Sequence, residues 1–144
     1  MSIAIIDEEN LIKPIKEKKN IFLINIKDIF VLDNKNKNTN IKLTSHPYYK
    51  SLKHNNKTIY SDYIIKAQDQ FIKETGTWEG FLLLYKKIKK DGFDFKNNDS
   101  IVIEKINDKW ICSHGRHRIC MMQKIYGKNI NIELKNNRVY KISL

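Results

Sequence analysis

One short stretch of the chain holds most of the side chains that could carry out chemistry. Residues 112–120, with the sequence CSHGRHRIC, contain both cysteines, two of the four histidines and two arginines. Only three of the chain's 27 basic residues are arginine, so this local use of arginine is unusual for the protein. A planar guanidinium can hold a phosphate or carboxylate through two parallel hydrogen bonds, which an ammonium cannot do. The stretch therefore indicates a site for an anion.

The same stretch has the backbone pattern of an anion-binding helix start. Gly115 follows a predicted strand and precedes a short helix, predicted over 119–126 and closed by Gly127, with three basic residues on its first turn. The first turn of a helix offers N–H groups that have no partner within the helix, and basic side chains there are unfavourable unless an anion binds. The alternative is a solvated first turn. The predicted phosphate contacts are Ser113, Gly115, Arg116, His117 and Arg118.

Histidines are the candidates for proton transfer, because their ordinary pKa lies near neutrality. His117 and His114 belong to the stretch, and His46 stands in the segment SHPYY before Pro47. Proline suits the first position of a helix, so the structural alternative for His46 is a place at a helix start. The alternative for His114 is a hydrogen bond at a strand end. The candidate catalytic residues are thus His117, His114 and His46.

Four side chains of the stretch could instead bind a metal ion. Alternation along a strand would pair Cys112 with His114, and helical spacing would pair His117 with Cys120. The spacing is tighter than that of common zinc sites, however. We therefore expect no metal site, and we expect two buried cysteines with a structural role.

The elements that position this stretch can be predicted from the remaining sequence. Residues 21–31 are rich in β-branched and aromatic residues and predict the first strand, and 33–40 predict a polar loop. Ser61 is predicted to cap a helix that continues toward Gly76. Thr77 is predicted to cap a second helix, which ends at Gly92.

The C-terminal third has the alternation of strands. Residues 101–106 and 109–112 predict a hairpin around an Asn107-Asp108 turn, and two further strands are expected near 130–134 and 138–142. Strands and helices together in one small chain predict an α+β fold, with a small mixed sheet and helices.

Length and composition predict a single domain. The chain has 144 residues, of which 41% are hydrophobic, enough to bury a core. We expect an N-terminal arm over 1–20 and one domain over 21–144. No apolar run approaches the roughly 18 residues of a membrane-spanning helix. No basic segment followed by an apolar stretch opens the sequence, so we expect a cytoplasmic, intracellular protein without a membrane partner. The oligomeric state stays open.

The net charge of +11 invites a nucleic-acid partner, but most of it comes from lysine. Some of these lysines have a structural explanation. The last turn of the predicted helix before Gly92 favours cations, and it contains Lys86, Lys87, Lys89 and Lys90. Nucleic acid therefore stays an alternative partner.

The segment IVIEKINDKWICSHGRHRICMMQKIYG resembles the core of the ParB/sulfiredoxin superfamily, in which a hairpin leads into G-x-[HR]-R at the start of a helix that ends in glycine. LLLYKKIKKDGF is similar to the preceding helix of that superfamily, and LINIKDI to its opening strand. The resemblance implies a ParB/sulfiredoxin-like fold and a nucleotide such as ATP or CTP, accompanied by Mg²⁺, with its phosphates near Gly115 to Arg118.

Activities in that superfamily include CTP-dependent DNA clamping, repair of oxidised cysteine, phosphorylation of serine and nuclease activity. Arg116 stands where sulfiredoxins have their nucleophilic cysteine, so that chemistry is not expected. His114 stands where kinase-like relatives have aspartate, which argues against an acidic role there. We expect a protein that binds a nucleotide or a phosphorylated small molecule, with Mg²⁺-assisted phosphoryl or nucleotidyl transfer as its reaction if it is an enzyme. The alternatives are a non-catalytic nucleic-acid-binding module and a DNA nuclease of the ParB-like type.

Overall fold

The structure, a computed structural model, describes residues 21–33, 39–67 and 77–143. The predicted arm over 1–20, the middle of the predicted polar loop at 34–38 and the predicted helical residues 68–76 lie outside the described residues. The described part contains strands and helices in a mixed α+β arrangement, as the sequence predicts.

The strands are β1 (Ile21–Asn25), β2 (Ile29–Asp33), β3 (Thr39–Lys42), β4 (Val102–Ile106), β5 (Lys109–His114), β6 (Asn131–Lys135) and β7 (Arg138–Ser143). The helices are α1 (Pro47–His54), α2 (Lys57–Ala67), α3 (Trp78–Asp91) and α4 (Arg116–Tyr126). Two short 3₁₀ turns, Ile26–Asp28 and Leu43–Ser45, precede β2 and α1.

The seven described strands form one sheet in the order β1-β6-β7-β4-β5-β2-β3. Among these pairs β2 and β5 are parallel, and the others are antiparallel. In a flat sheet β1 and β2 would lie roughly 24 Å apart, because neighbouring strands are about 4.8 Å apart. The link from Asn25 to Ile29 reaches at most about 15 Å. The sheet must therefore curl, and it does so around a buried corner at Ile26.

That corner corrects the prediction of one strand over 21–31. The Asn25 side chain accepts a hydrogen bond from the Lys27 N–H at 2.9 Å and caps the 3₁₀ turn. Ile26 is fully buried, and its N–H donates to the carbonyl of Ile130 at 3.2 Å. The strand residues are thus divided between two distant positions in the sheet, because tertiary packing at the corner outweighs their uniform β propensity.

The helix ends are partly as predicted. The Thr77 hydroxyl accepts from the Gly80 N–H at 3.1 Å and caps α3, which ends at Gly92 with a φ of 82°. The start predicted at Ser61 is wrong, because α2 begins at Lys57. The Asn56 side chain accepts from the Ile59 N–H at 3.2 Å and supplies the cap there.

The predicted hairpin is confirmed. Asn107 and Asp108 have φ values of 50° and 64°, the left-handed pair that a two-residue turn between twisted strands requires. Asn136 and Asn137 repeat this geometry between β6 and β7, with φ values of 53° and 66°. The loop predicted over 33–40 is shorter than expected at both ends. Asp33 is the last residue of β2, and Thr39 is the first residue of β3.

The core lies between the curled sheet and the helices. Helix α4 is largely buried and packs against α1 and α3. Its buried side chains Ile119, Met121 and Met122 join the strand residues Ile29 and Ile103. None of the helices in the described ranges is long and apolar enough to cross a membrane.

Candidate anion-binding site

Gly115 joins β5 to α4, and the site depends on its lack of a side chain. Its φ of 86° lies in the left-handed region, which residues with a Cβ rarely adopt. A Cβ built on it would also lie 2.8 Å from the carbonyl oxygen of Ser100 and 3.1 Å from Cγ1 of Ile101. Its own carbonyl accepts the first hydrogen bond of α4, from the Ile119 N–H at 2.9 Å. Glycine is therefore required here for both conformation and space.

The N-terminus of α4 differs from those of α1 and α3. His46 and Thr77 cap α1 and α3 with side-chain acceptors, whereas no side chain caps α4. The first turn of α4 also contains no acidic residue. The N–H groups of such a turn have no acceptor within the helix, and the helix dipole is positive there. This end of α4 is suited to an external anion.

The start of α4 lies at the carboxyl ends of two parallel strands, a common position for a ligand site. Strands β2 and β5 run parallel, with Val31 opposite Cys112. Two residues further on, β2 ends at Asp33 and β5 ends at His114, directly before Gly115. The carboxyl ends of the two parallel strands thus meet next to the start of α4, the position at which open α/β sheets bind ligands.

Arg118 is held by the loop between α3 and β4. Its Nε lies 3.4 Å from Oδ1 of Asp99, and the side chains are 27% and 11% exposed. This Nε is buried and makes no hydrogen bond with a described residue, so the contact is an ion pair without hydrogen-bond geometry. The other carboxylate oxygen of Asp99 accepts from the Asp94 N–H at 2.7 Å, which fixes the carboxylate.

Arg116 lies partly inside the domain. Its Nη1 is buried. Burial lowers the pKa of His46 and raises that of Cys112, and the charge of Arg116 adds to the first effect and opposes the second. Arg116 contributes positive potential to the same edge of the sheet as Gly115.

His117 packs into a cluster of aromatic rings. Its imidazole stacks on Tyr48, with centroids 4.2 Å apart and planes at 18°, and lies 5.3 Å from the ring of Phe81. Its Nε2 is 3.4 Å from the hydroxyl of Tyr60. Residues from α1, α2 and α3 thus surround His117, which fixes the first turn of α4 against the other three helices.

His46 lies in the same cluster, where it caps α1. The ring is fully buried, and Nδ1 accepts from the Tyr48 N–H at 3.0 Å. Because a backbone N–H can only donate, the proton of the neutral ring resides on Nε2, which lies 3.1 Å from the Tyr63 hydroxyl. Burial, followed by the charges of Arg116 and His117, lowers the pKa of His46 to about 3. His46 is thus neutral near pH 7, with both nitrogens in hydrogen bonds.

The remaining predicted site residues, Ser113 and His114, lie at the exposed end of β5. The Ser113 hydroxyl is 3.5 Å from the carbonyl of Val102, next to a register shift between β4 and β5. Cys112 is buried, and its Sγ donates to the carbonyl of His114 at 3.1 Å. His114 stands beside Gly115 at the edge of the sheet, whereas His46 and His117 are held in the aromatic cluster.

The two cysteines are buried and are not joined in a disulfide. Burial raises the pKa of Cys112 to about 12, and it raises that of Cys120 further, with the neighbouring Cys112 adding to the effect. Thiols of this kind carry little thiolate at neutral pH and are poor metal ligands. Within the described ranges, no group of three or more His, Cys, Asp or Glu side chains is arranged to hold a metal ion.

Sequence reasoning misses two parts of this site. The sequence predicts a polar loop that includes Asp33, but this residue is 9% exposed and ends β2 beside the start of α4. A carboxylate directly after the apolar run IFVL is the signal that could have identified it. The aromatic cluster around His117 is also missed, because its rings come from four helices whose packing no local pattern encodes.

Comparison of the chain with protein-family models, with curated proteins and with solved structures found no match.

Proposed function

We propose that this protein binds a nucleotide, or another phosphorylated small molecule, at the N-terminus of α4. The phosphates would rest on the backbone amides from Gly115 to Arg118, and the two guanidinium groups would offset their charge. Ser113 and His114 border the same loop and would contact the ligand from the strand side. ATP and CTP are the nucleotides that the sequence resemblance favours, and a ParB/sulfiredoxin-like fold belongs to the same proposal.

The observation that carries the proposal is the uncapped start of α4. The helix begins at a glycine that backbone atoms enclose, no side chain fills the cap position, and the first turn is basic. An anion would satisfy the N–H groups and the positive helix end at once. Each charge-assisted hydrogen bond to such an anion contributes about 1.5–3 kcal/mol.

The ion pair between Arg118 and Asp99 supports a role in positioning. A long side chain that is already fixed loses less conformational entropy when it binds a ligand. Asp99 accepts from the Asp94 backbone and so keeps the guanidinium at the start of α4. Arg118 can then offer its outer nitrogens to a phosphate while Nε faces the carboxylate.

The proposal extends to a reaction at this site. If the protein is an enzyme, phosphoryl or nucleotidyl transfer suits the site best, because positioning and charge stabilisation dominate those reactions. His114 is the exposed histidine at the loop, whereas His46 is buried and neutral near pH 7. Mg²⁺ would accompany the phosphates of a nucleotide, since it binds substrate phosphates together with one or two carboxylates.

Isothermal titration calorimetry with ATP, ADP and CTP tests the proposal. At least one of them is expected to bind, and removal of the Arg118 guanidinium is expected to weaken the interaction about 10- to 100-fold or more. The alternative, a nucleic-acid-binding module, predicts binding of a DNA or RNA strand with an affinity that falls steeply with salt concentration and changes little on Arg118→Ala. A plasmid-nicking assay with and without Mg²⁺ tests the nuclease alternative.

A further inference from the structure

Arg138, the third arginine of the chain, lies at the same end of the sheet as the first turn of α4. It is the first residue of β7 and is paired with Val102, the first residue of β4. On its other side, Val102 is paired with His114, the last residue of β5. These three residues form one row across three neighbouring strands, and His114 directly precedes Gly115. All three arginines of the chain therefore lie at this end of the sheet, two of them in the first turn of α4.

The Arg138 side chain reaches from this row back toward β5. Residues directly opposite each other on antiparallel strands share a face of the sheet, so Arg138 and His114 lie on the same face. Their backbones are about 10 Å apart, because two strand spacings of about 4.8 Å separate them. Nη1 of Arg138 donates to the Ser100 hydroxyl at 2.9 Å, and Ser100 precedes β4, the strand between β7 and β5. The gap from this guanidinium to the end of β5 is thus one to two strand spacings, about 5–10 Å.

Ser100 connects the Arg138 guanidinium to the site at Gly115. Its hydroxyl accepts from Arg138, and its carbonyl oxygen would lie 2.8 Å from a Cβ on Gly115. The preceding residue, Asp99, forms the ion pair with Arg118. Two consecutive residues of one loop therefore hold two arginines, one from β7 and one from α4.

The two arginines have different kinds of partner. Arg118 faces the Asp99 carboxylate, which offsets its charge, whereas Arg138 donates to a neutral hydroxyl. Within the ranges that the structure describes, no carboxylate forms an ion pair with Arg138. The hydrogen bond to Ser100 orients the guanidinium without neutralising it. The other N–H groups of Arg138 can then hold a phosphate through two parallel hydrogen bonds.

A cavity of about 500 Å³ adjoins Arg138, where the loop after α3 meets the turn between β6 and β7. Its volume is within the range of small-molecule sites, about 300–1,000 Å³. Lys96 and Lys135 line it together with Arg138, and none of the described lining residues is acidic. Glu133, on the strand beside β7, accepts a hydrogen bond from the Tyr140 hydroxyl. The lysines attract phosphate as point charges, and the arginine can fix its position.

We infer that Arg138 and this cavity form a second anion subsite, which binds a further phosphate of the ligand whose first phosphate lies at Gly115. The inference rests on the proposed function, because it requires a phosphorylated ligand at the start of α4. The further phosphate is either linked to the first, as in ATP, or separated from it by the sugar, as in a nucleoside 3′,5′-bisphosphate. Arg138 makes the site selective for ligands that carry more than one phosphate.

Isothermal titration calorimetry with AMP, ATP and adenosine 3′,5′-bisphosphate tests the inference, with the cytidine series in parallel. Within each series the ligands differ only in the number and position of their phosphates. Arg138→Gln is expected to weaken binding of ATP, of the bisphosphate or of both about tenfold, and to leave the affinity for AMP unchanged. The ligand with the larger loss identifies the position of the further phosphate. Arg138→Lys is expected to restore only part of the affinity, because it keeps the charge and loses the paired donors.

Lys141→Gln is the matched control for loss of one positive charge, since Lys141 is exposed on the same strand and lies outside the cavity lining. It is expected to leave every affinity unchanged. The melting temperature of Arg138→Gln is expected to stay close to that of the unmodified protein, because the residue is exposed.

Two results would overturn the inference. One is an unchanged affinity of Arg138→Gln for every ligand with more than one phosphate. The other is an equal loss for AMP and for these ligands, or an equal loss in Lys141→Gln, which would indicate general positive potential instead of a subsite. With either result the proposed function stands if binding still depends on Arg118. Absence of binding by all of the ligands would overturn the proposed function as well.

Discussion

The Nε atom of Arg118 lies 3.4 Å from Oδ1 of Asp99, so the last basic residue in the first turn of α4 is tied to the loop that precedes β4. The same loop continues into Ser100, whose carbonyl oxygen would meet a Cβ at position 115 at 2.8 Å. One segment thus fixes both the guanidinium and the glycine. The geometry of the site depends on this loop as much as on the helix itself.

Gly115→Ala is expected to destabilise the protein strongly, because it combines a left-handed backbone with a steric clash against a backbone oxygen. The left-handed conformation alone costs about 1–2 kcal/mol for a residue with a Cβ. Asn55→Ala is the control for conformation, since Asn55 has a left-handed backbone of the same class, with a φ of 47° and a ψ of 51°, at an exposed position.

Urea denaturation of the two variants shows how much of the loss at position 115 exceeds the cost of placing alanine in a left-handed backbone. Gly115→Ala is expected to lower the free energy of unfolding by at least about 1–2 kcal/mol more than Asn55→Ala, in line with the typical cost of overpacking. Equal losses would show that the close approach of Ser100 imposes no constraint at position 115.

The buried His46 makes the stability of the protein depend on pH. Its pKa is about 3 when folded, against an ordinary value of 6.5. Between these values the unfolded chain binds a proton that the folded chain does not, so the free energy of unfolding decreases as the pH falls. The contribution of this residue is about 1.4 kcal/mol per pH unit. It is fully present above pH 6.5 and is lost as the pH falls toward 3.

His46→Asn is expected to remove that slope. Asparagine can still cap α1, but it does not titrate. Urea melts between pH 7 and pH 4 should show a smaller loss of stability for the variant, whatever its stability at neutral pH. His54→Asn, at an exposed histidine, serves as the control and should retain the slope of the unmodified protein. An unchanged slope in His46→Asn would contradict the burial of a neutral imidazole at this position.

The two thiols are expected to be unreactive in the folded protein. Cys112 and Cys120 are buried, and burial raises the pKa of both thiols. A thiol reagent at pH 8 should therefore modify them slowly in buffer and should titrate both rapidly in denaturant. Fast modification of either cysteine without denaturant would show that this end of β5 opens, or that a thiolate is present there.

The turn between β6 and β7 offers a stabilising substitution. Asn137 has a φ of 66° at the second position of a two-residue turn, where glycine is preferred. Asn137→Gly is expected to raise the free energy of unfolding by a few tenths of a kcal/mol to about 1 kcal/mol, because it removes the strain of a Cβ in the left-handed region. A decrease in thermal stability would contradict the turn geometry.

Local signals are sufficient for some elements. Thr77 and Gly92 mark the two ends of α3, and the Asn107-Asp108 pair marks the hairpin, because caps and left-handed turns are determined within a few residues. The strand predicted over 21–31 is only half correct. Its break at Ile26 comes from burial in a corner of the curled sheet, which depends on residues more than a hundred positions away, such as Ile130.

The candidate site, too, is predicted only in part from local signals in the sequence. The residue types and spacing of 112–120 indicate Gly115 and the basic first turn, but they do not indicate what each side chain contacts. The partner of Arg118 comes from a loop nineteen residues earlier, and the rings around His117 come from three other helices. His46 is a candidate base by sequence and a buried cap in the structure, because its environment is set by tertiary packing.

The central claim is that an anion binds at the start of α4 with the help of Arg118. The most direct test is isothermal titration calorimetry of ATP, ADP and CTP against the unmodified protein and the double variant Arg118→Gln, Asp99→Asn. The double variant keeps the net charge, because it removes one charge of each sign, and the asparagine side chain that replaces Asp99 can still accept from the Asp94 N–H. The double variant Lys57→Gln, Glu79→Gln is the control, since it also removes one charge of each sign, at an exposed ion pair of 3.4 Å between α2 and α3.

We predict binding of at least one nucleotide to the unmodified protein and to the Lys57→Gln, Glu79→Gln control. In the double variant we predict a loss of about 10- to 100-fold or more, as expected when a charge-assisted contact of about 1.5–3 kcal/mol is removed. Equal binding by the double variant and the unmodified protein, or no binding of any of the three nucleotides, would contradict the proposed site.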